Sequence, residues 1–255
     1  MAHPVIQMTD VTVVHSRAPG VPLVTGVNWR VEEGECWVVT GLQGSGKTAL
    51  IETAAGLHPY PTGEVQVFGQ RVHGTEGEGS EDVRRRVGVV FDGHGRLFGS
   101  QTVLENVALP LCYHRNRSWE EVGEEVMVLL QLLGLETLAG QSAGRLGRAW
   151  AHRVALARAL VQRPGLLLVD NPLTGMDPFH ARWWRGFLGR LLVGLPELGG
   201  VPMTLVLATD EPRALLGLGQ KFAVTHAGRW RCMGDRQEFE RCEDPELRGL
   251  LHDED

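Results

Sequence analysis

The 255-residue sequence has no apolar run long enough to cross a bilayer. Stretches such as Leu166-Leu167-Leu168-Val169 end after a few positions, whereas a spanning helix needs about 20. Any membrane role must therefore come through a partner. Positive charge is not in excess either. The formal net charge is −6, which argues against non-specific nucleic-acid binding, because that rests on Lys and Arg neutralising phosphates. Cysteine is scarce: Cys36, Cys112, Cys232 and Cys242 are scattered, and no pair has metal-ligand spacing. Reduced cysteines in a cytosolic protein are expected. The N-terminus has no basic-then-apolar signal pattern. No internal repeat and no linker is visible. What the chain does have is glycine, at 33 residues, and a hydrophobic fraction of 43%. Many tight turns and a sizeable core follow, in one large domain or two small ones.

The most informative stretch is Gly41-Leu42-Gln43-Gly44-Ser45-Gly46-Lys47-Thr48. Before it, Cys36-Trp37-Val38-Val39-Thr40 is apolar and β-prone. After it, Ala49 to Leu57 reads as a helix. Strand, glycine-rich turn and helix start are the setting of a phosphate-binding loop. Glycines let backbone N–H groups turn inward toward an anion, and the helix N-terminus adds unpaired N–H groups and a positive dipole end. Lys47 supplies charge for the β/γ-phosphates, and Thr48 a hydroxyl for Mg²⁺. The nucleotide-binding set is Gly41, Gln43, Gly44, Ser45, Gly46, Lys47, Thr48 and Ala49.

Elsewhere the pattern alternates strand and helix. Pro4 to Val14 and Val21 to Val31 read as strands around a turn at Arg17-Ala18-Pro19-Gly20. Glu64 to Phe68 and Val87 to Phe91 are further strands, separated by an exposed loop at 73–82. Arg84-Arg85-Arg86 reads as a solvated helix end. From Thr102 to Arg163 the period is helical: Val103, Val107 and Leu111 share a face, Trp119 to Leu133 forms a second run, and Gly147 to Gln162 a third, stopped by Pro164. Leu166 to Asp170 is a buried strand ending in an acid. A helix over Arg182–Leu192, a strand over Met203–Ala208, a hairpin around Ala227-Gly228-Arg229 and a charged helical tail from Glu238 complete the chain. The class is α/β with a mainly parallel sheet.

At Gly41–Thr48, and again at Arg153-Val154-Ala155-Leu156-Ala157-Arg158-Ala159-Leu160, the chain resembles the ATP-binding-cassette (ABC) transporter ATPase family. Leu166–Asp170, then Asn171-Pro172-Leu173-Thr174-Gly175-Met176-Asp177-Pro178, resembles that family's second nucleotide motif and D-loop. The resemblance runs through essentially the whole chain. It implies a P-loop NTPase fold of the ABC type: a RecA-like core with a β-subdomain over 1–91 and 164–237, a helical subdomain over 92–163, and a C-terminal helical tail over 238–255. It also implies ATP and Mg²⁺ as cofactors, Thr48, Asp170 and Asp92 at the metal, a second ATPase subunit, transmembrane permease subunits, and a place on the cytoplasmic face of the cell membrane. Nucleic acid is not among the expected partners. Within the family the chain resembles the ATPases of MCE-type phospholipid transport systems. The carrying stretches are Gly93–Phe98 running into Thr102–Leu111, Ala151-His152-Arg153, and Asp244-Pro245-Glu246-Leu247-Arg248.

Five positions depart from the family pattern. The general-base Glu is replaced by Asn171, whose amide cannot take a proton; loss of a general base costs about 10²–10⁴-fold. The switch His is Asp210, a carboxylate that a phosphate repels unless Mg²⁺ or a proton intervenes. The Q-loop Gln is Asp92, which can still ligate Mg²⁺. The signature reads Leu146-Gly147-Arg148-Ala149-Trp150, without its hydroxyl and with bulk where backbone should approach closely; Arg148 is expected as a surface arginine on a helix end, the alternative being a charge that still reaches a phosphate. His15 stands where an aromatic residue stacks on adenine. The resemblance thus implies a nucleotide-binding subunit with weak or absent hydrolysis. The alternative is an active ATPase in which Asp92 or Asp210 serves as base. A permease helix is expected in the groove beside Asp92–Ser100.

Overall fold

The computed structural model describes residues 4–15, 18–72 and 81–244. The chain opens with two strands, β1 (Ile6–His15) and β2 (Ala18–Val31). They pair antiparallel, with Ile6 opposite Val31 and His15 opposite Ala18. The turn expected at 17–20 is thereby corrected. Ala18–Gly20 already belong to β2, because pairing with β1 overrides the local turn preference of Pro-Gly; Arg17 lies outside the described residues. Then come β3 (Cys36–Thr40), α1 (Lys47–Ala54), β4 (Glu64–Val67) and β5 (Gln70–Arg71). Of the loop expected at 73–82, residues 73–80 lie outside the described residues, and Glu81 and Asp82 open α2 (Glu81–Arg86). Two acids in its first turn and three arginines in its last complement the helix dipole.

The second half comprises β6 (Val87–Val90), α3 (Val103–Arg115), α4 (Trp119–Leu132), α5 (Arg148–Leu160), β7 (Leu166–Asp170), α6 (Pro178–Val193), β8 (Thr204–Thr209), β9 (Lys221–His226), β10 (Arg229–Gly234) and α7 (Arg236–Glu240). Thr102 and Glu105 form a capping box that starts α3. Asp177 caps α6 by accepting from the backbone of Phe179 and His180, so that helix begins four residues before the expected Arg182. The helical tail is corrected as well: α7 stops at Glu240, residues 241–244 are not helical, and 245–255, including Pro245–Arg248, lie outside the described residues.

Among the described residues, ten strands form one sheet in the order β5-β4-β1-β2-β10-β9-β3-β8-β7-β6. The strands β3, β6, β7 and β8 are mutually parallel, and β9 joins β3 in parallel. Every residue of β3, β7 and β8 is buried, as a parallel sheet covered on both faces requires. The two-residue period of the strand divides them between two cores. Leu167, Val169, Leu205 and Leu207 pack with the helices of the second half. Leu166, Leu168, Val206 and Ala208 pack with α1 and the β1–β2–β4 layer. Because the strands are parallel and in register, their C-terminal ends lie side by side: Thr40 opposite Thr209, Asp170 opposite Ala208, Val90 opposite Val169. The loops leaving those ends are residues 41–46, 91–102, 171–177 and 210–212. In open α/β sheets this edge is where ligands bind.

Candidate functional site

A cavity of about 430 Å³ opens at that edge, within the size range of small-molecule sites. One wall is the phosphate loop and the start of α1: Gln43, Gly44, Gly46, Lys47, Thr48 and Ala49. The opposite wall is Asp92, Arg96, Arg148, Asn171, Thr174 and Asp210. His15, Leu23 and Glu52 also line it, and Glu52 follows Thr48 one turn along α1.

The loop turns tightly before α1. Gly46 is the helix N-cap at φ 98°, with no side-chain cap, so the first N–H groups of α1 are left for an acceptor outside the chain. Gly41 also meets a packing requirement for glycine. A Cβ there would stand 2.3 Å from the Thr225 carbonyl oxygen and 2.6 Å from Ser45 Oγ. Ser45 in turn shares a 2.8 Å hydrogen bond with Thr225 Oγ1. Gly41 and Ser45 anchor the loop to β9 and do not line the cavity.

Lys47 is 6% exposed. Its Nζ donates to the carbonyls of Gly41 (2.7 Å) and Leu42 (3.0 Å). Burial lowers its pKa, while the nearby carboxylates of Asp210 and Asp170 raise it. Thr48 Oγ1 donates to Asp170 Oδ2 at 2.6 Å. Asp170 is 1% exposed, and its Oδ1 is buried with no hydrogen-bond partner. Burial raises the Asp170 pKa to about 6; the Thr48 hydrogen bond opposes that shift, and Asp92 adds to it. A buried carboxylate oxygen without a partner is an acceptor waiting for a cation or water. With the Thr48 hydroxyl beside it, this is an all-oxygen donor set that fits Mg²⁺. The uncapped N-terminus of α1 and Lys47 fit a polyphosphate.

The opposite wall is built differently. Asp92 follows β6 on an exposed loop. Its Oδ1 accepts from Arg148 Nη2 at 2.6 Å and from the Gly93 backbone at 2.5 Å. Its Oδ2 accepts from Asn171 Nδ2 at 3.3 Å. Arg148 is at the start of α5, as expected of a helix-end arginine, with its side chain partly exposed and paired with Asp92. Asn171 sits in the left-handed region at φ 49°, a conformation Asn tolerates better than most residues. Its Oδ1 is buried and unpartnered. Asp210 follows β8 and accepts a 3.5 Å hydrogen bond from Thr174 Oγ1. The signature segment starts α5 at Arg148 with Gly147 as N-cap and no side-chain cap.

Sequence reasoning missed Glu52 and Arg96. Arg96 pairs closely with Glu52 Oε1 and lies 3.8 Å over the Phe91 ring. Glu52 was within reach of a helical-wheel reading, standing four residues after Thr48. Nothing local marks Arg96.

Residues 24–174 match the family described as ABC transporter. The methionine import ATP-binding protein MetN of Caulobacter vibrioides is 35% identical over 225 residues, covering 88% of this chain and 65% of that protein. Its counterpart in Rhizobium johnstonii is 33% identical over 88% of this chain and 59% of that protein. The chain thus spans roughly three fifths of the length of these curated relatives. The lipoprotein-releasing system ATP-binding protein LolD of Psychrobacter arcticus is 29% identical over 89% of this chain and 97% of its own length. Among solved structures, a nucleotide-free ATP-binding cassette from an ABC transporter superposes with a TM-score of 0.78 at 21% identity, covering 98% of this chain and all of that one. That likeness speaks for the fold. With the family match extending over more than half of its length, the chain belongs to the ABC transporter family.

Proposed function

We propose that this subunit binds ATP with Mg²⁺ tightly and hydrolyses it slowly or not at all, serving a lipid-type transporter of the MCE kind. The observation that carries the proposal is the contrast between the two cavity walls. On one wall Lys47, Thr48 and Asp170 keep a buried, oxygen-rich seat. On the other, Asn171 and Asp210 stand where a proton acceptor and a γ-phosphate donor are needed.

Gly44, Gly46, Lys47, Thr48 and Ala49 hold the phosphates in this reading. Thr48 and Asp170 hold the metal, and Asp92 competes for it. A Mg²⁺ held there would supply charge neutralisation for the bound phosphates. Lys47 swings from the Gly41 and Leu42 carbonyls to the phosphates. Asn171 orients a water through its amide but takes no proton from it, so the attacking nucleophile is not activated. Asp210 places a negative charge toward the terminal phosphate and disfavours its approach.

A second ABC ATPase subunit and transmembrane permease subunits are the proposed partners, placing the chain on the cytoplasmic face of the membrane. No helix among the described residues is long and apolar enough to cross a membrane. In this reading a permease helix seats beside Asp92–Ser100, where Phe98 is 51% exposed. Lipid-type cargo is supported by the resemblance to MCE-type ATPases and by the relative from a lipoprotein-releasing system, matched over nearly its full length.

The second reading, an active ATPase with rewired chemistry, is favoured by one observation: Asp92 and Asp210 both line the cavity. Phosphate release by Asp92→Ala and Asp210→Ala separates the two. Slow release unchanged by either substitution supports the first reading. Fast release abolished by one of them supports the second. ATP affinity unaltered by Lys47→Ala would overturn both.

A further inference from the structure

Arg148 belongs to the signature segment, which in this family serves the site of the opposite subunit. Here its guanidinium lines the cavity of its own chain, together with Lys47 and Thr48. It spends one N–H on Asp92 Oδ1 at 2.6 Å, and a guanidinium carries five. It also lies across the D-loop: a Cβ built on Gly175 would stand 3.9 Å from the guanidinium carbon. Asn171 completes the group by donating to the other Asp92 oxygen. The three positions form one set. A Glu at 171 could not donate to Asp92 and would add a second carboxylate against it, whereas an amide can.

We infer that Arg148 is a phosphate-binding residue of its own chain's nucleotide site, standing at Asp92 in the place of a divalent cation. The inference rests on the reading of this cavity as an ATP site and deepens it. Asp92 without a counter-charge would repel a triphosphate. Two cations can supply that charge: a metal ion, or Arg148. Mg²⁺ dehydrates reluctantly and demands octahedral geometry. A guanidinium is weakly hydrated, permanently charged and suited to planar oxyanions. It is also already in place, so it pays no cost of capture from solution. The remaining donors of Arg148 are then available to the terminal phosphate. The other arginine of the cavity, Arg96, is matched by Glu52 and not by Asp92. The site therefore depends less on Mg²⁺ than a seat of Thr48, Asp170 and a free Asp92 would.

The test is ATP affinity by titration calorimetry on the full chain, in excess Mg²⁺ and again in EDTA. Wild type is expected to lose some affinity in EDTA as the Thr48–Asp170 seat empties, and the role of Arg148 is read from the variants relative to wild type in each condition. Arg148→Gln is expected to lose about tenfold or more in EDTA and little in Mg²⁺, the size of one charge-assisted contact. Arg148→Lys should fall between them, because it keeps the charge and loses the fork. Asp92→Asn breaks the pair from the other side and should strengthen binding in EDTA. The inference is overturned if Arg148→Gln weakens binding equally in Mg²⁺ and in EDTA, or if Asp92→Asn leaves EDTA binding unchanged. Lys47→Ala separates the levels. If Lys47→Ala has no effect, the ATP site itself is misassigned; if it lowers affinity while Arg148→Gln does not, only the role of Arg148 fails.

Discussion

The two walls of the cavity differ in what holds them. The phosphate-loop wall is tied into the sheet: Gly41 and Ser45 press on Thr225 of β9, and Thr48 bonds the buried Asp170 at the end of β7. On the opposite wall Asp92, Asn171 and Asp210 hang on loops beyond the strand ends and Arg148 opens α5, and all four are exposed or half-buried. A change in the first wall disturbs packing as well as ligand binding. A change in the second alters charge and hydrogen bonding while leaving the core alone. On the proposed reading, the departures at Asp92, Arg148, Asn171 and Asp210 fall on the second wall, and His15 lies apart from it.

The sharpest way to break this comparison is at the hinge between packing and function. Gly41→Ala places a Cβ against the Thr225 carbonyl and should cost about 3 kcal/mol of stability, the scale of an overpacked core site. Denaturant unfolding reads it. Asp210→Ala, on the opposite wall, should stay within about 0.5 kcal/mol.

Two buried groups set opposite responses to acid. His152 is 1% exposed, stacks on Trp184 at 4.9 Å and has Nε2 unpartnered. Burial lowers its pKa from 6.5 to about 4; Asp92 opposes that shift and Arg148 adds to it. The unfolded chain then binds the extra proton first. Stability from this group is present above pH 6.5 and is lost as pH falls toward 4, by about 3 kcal/mol in all. Asp170 runs the other way. Its pKa is raised to about 6 from 3.8, so the folded chain takes its proton first. Stability from it is gained as pH falls through 6 and lost as pH rises through 6, again on the order of 3 kcal/mol. The two offset each other between pH 6 and 4. In nucleotide- and metal-free protein, Asp170→Asn should expose a fall in stability over that range. His152→Phe should expose a rise.

Lys47→Ala should weaken ATP binding by roughly 10- to 100-fold, the range of a charged hydrogen bond to phosphate, as measured by calorimetry in Mg²⁺. The smallest effect belongs away from both walls. Arg30 and Glu32 pair at 2.5 Å on an exposed strand face, and Arg30→Ala should change stability by less than about 0.5 kcal/mol.

The first wall was legible in the sequence because its residues are contiguous. Eight positions, 41–48, carry the loop, and the apolar run before them carries the strand. The acid closing Leu166–Asp170 was legible for the same reason. The joining of Arg148 to Asp92 was not, since 56 residues separate them and no local pattern encodes a pairing made by the sheet's register. The reason for Gly41 was hidden too: its neighbour Thr225 lies far along the chain. The early start of β2 escaped because Pro19-Gly20 favours a turn in isolation, and only the partner strand decides otherwise.

The central claim is that the chain holds ATP without turning it over. Its most direct test is phosphate release at saturating Mg-ATP by the subunit assembled with its transporter, with the retained nucleotide identified after denaturation. Release below about 0.1 s⁻¹, with intact ATP recovered, is expected. Lys47-dependent release at about 1 s⁻¹ or faster, the low end of ordinary enzyme turnover, would contradict the claim and make Asp92 and Asp210 the candidates for the missing base.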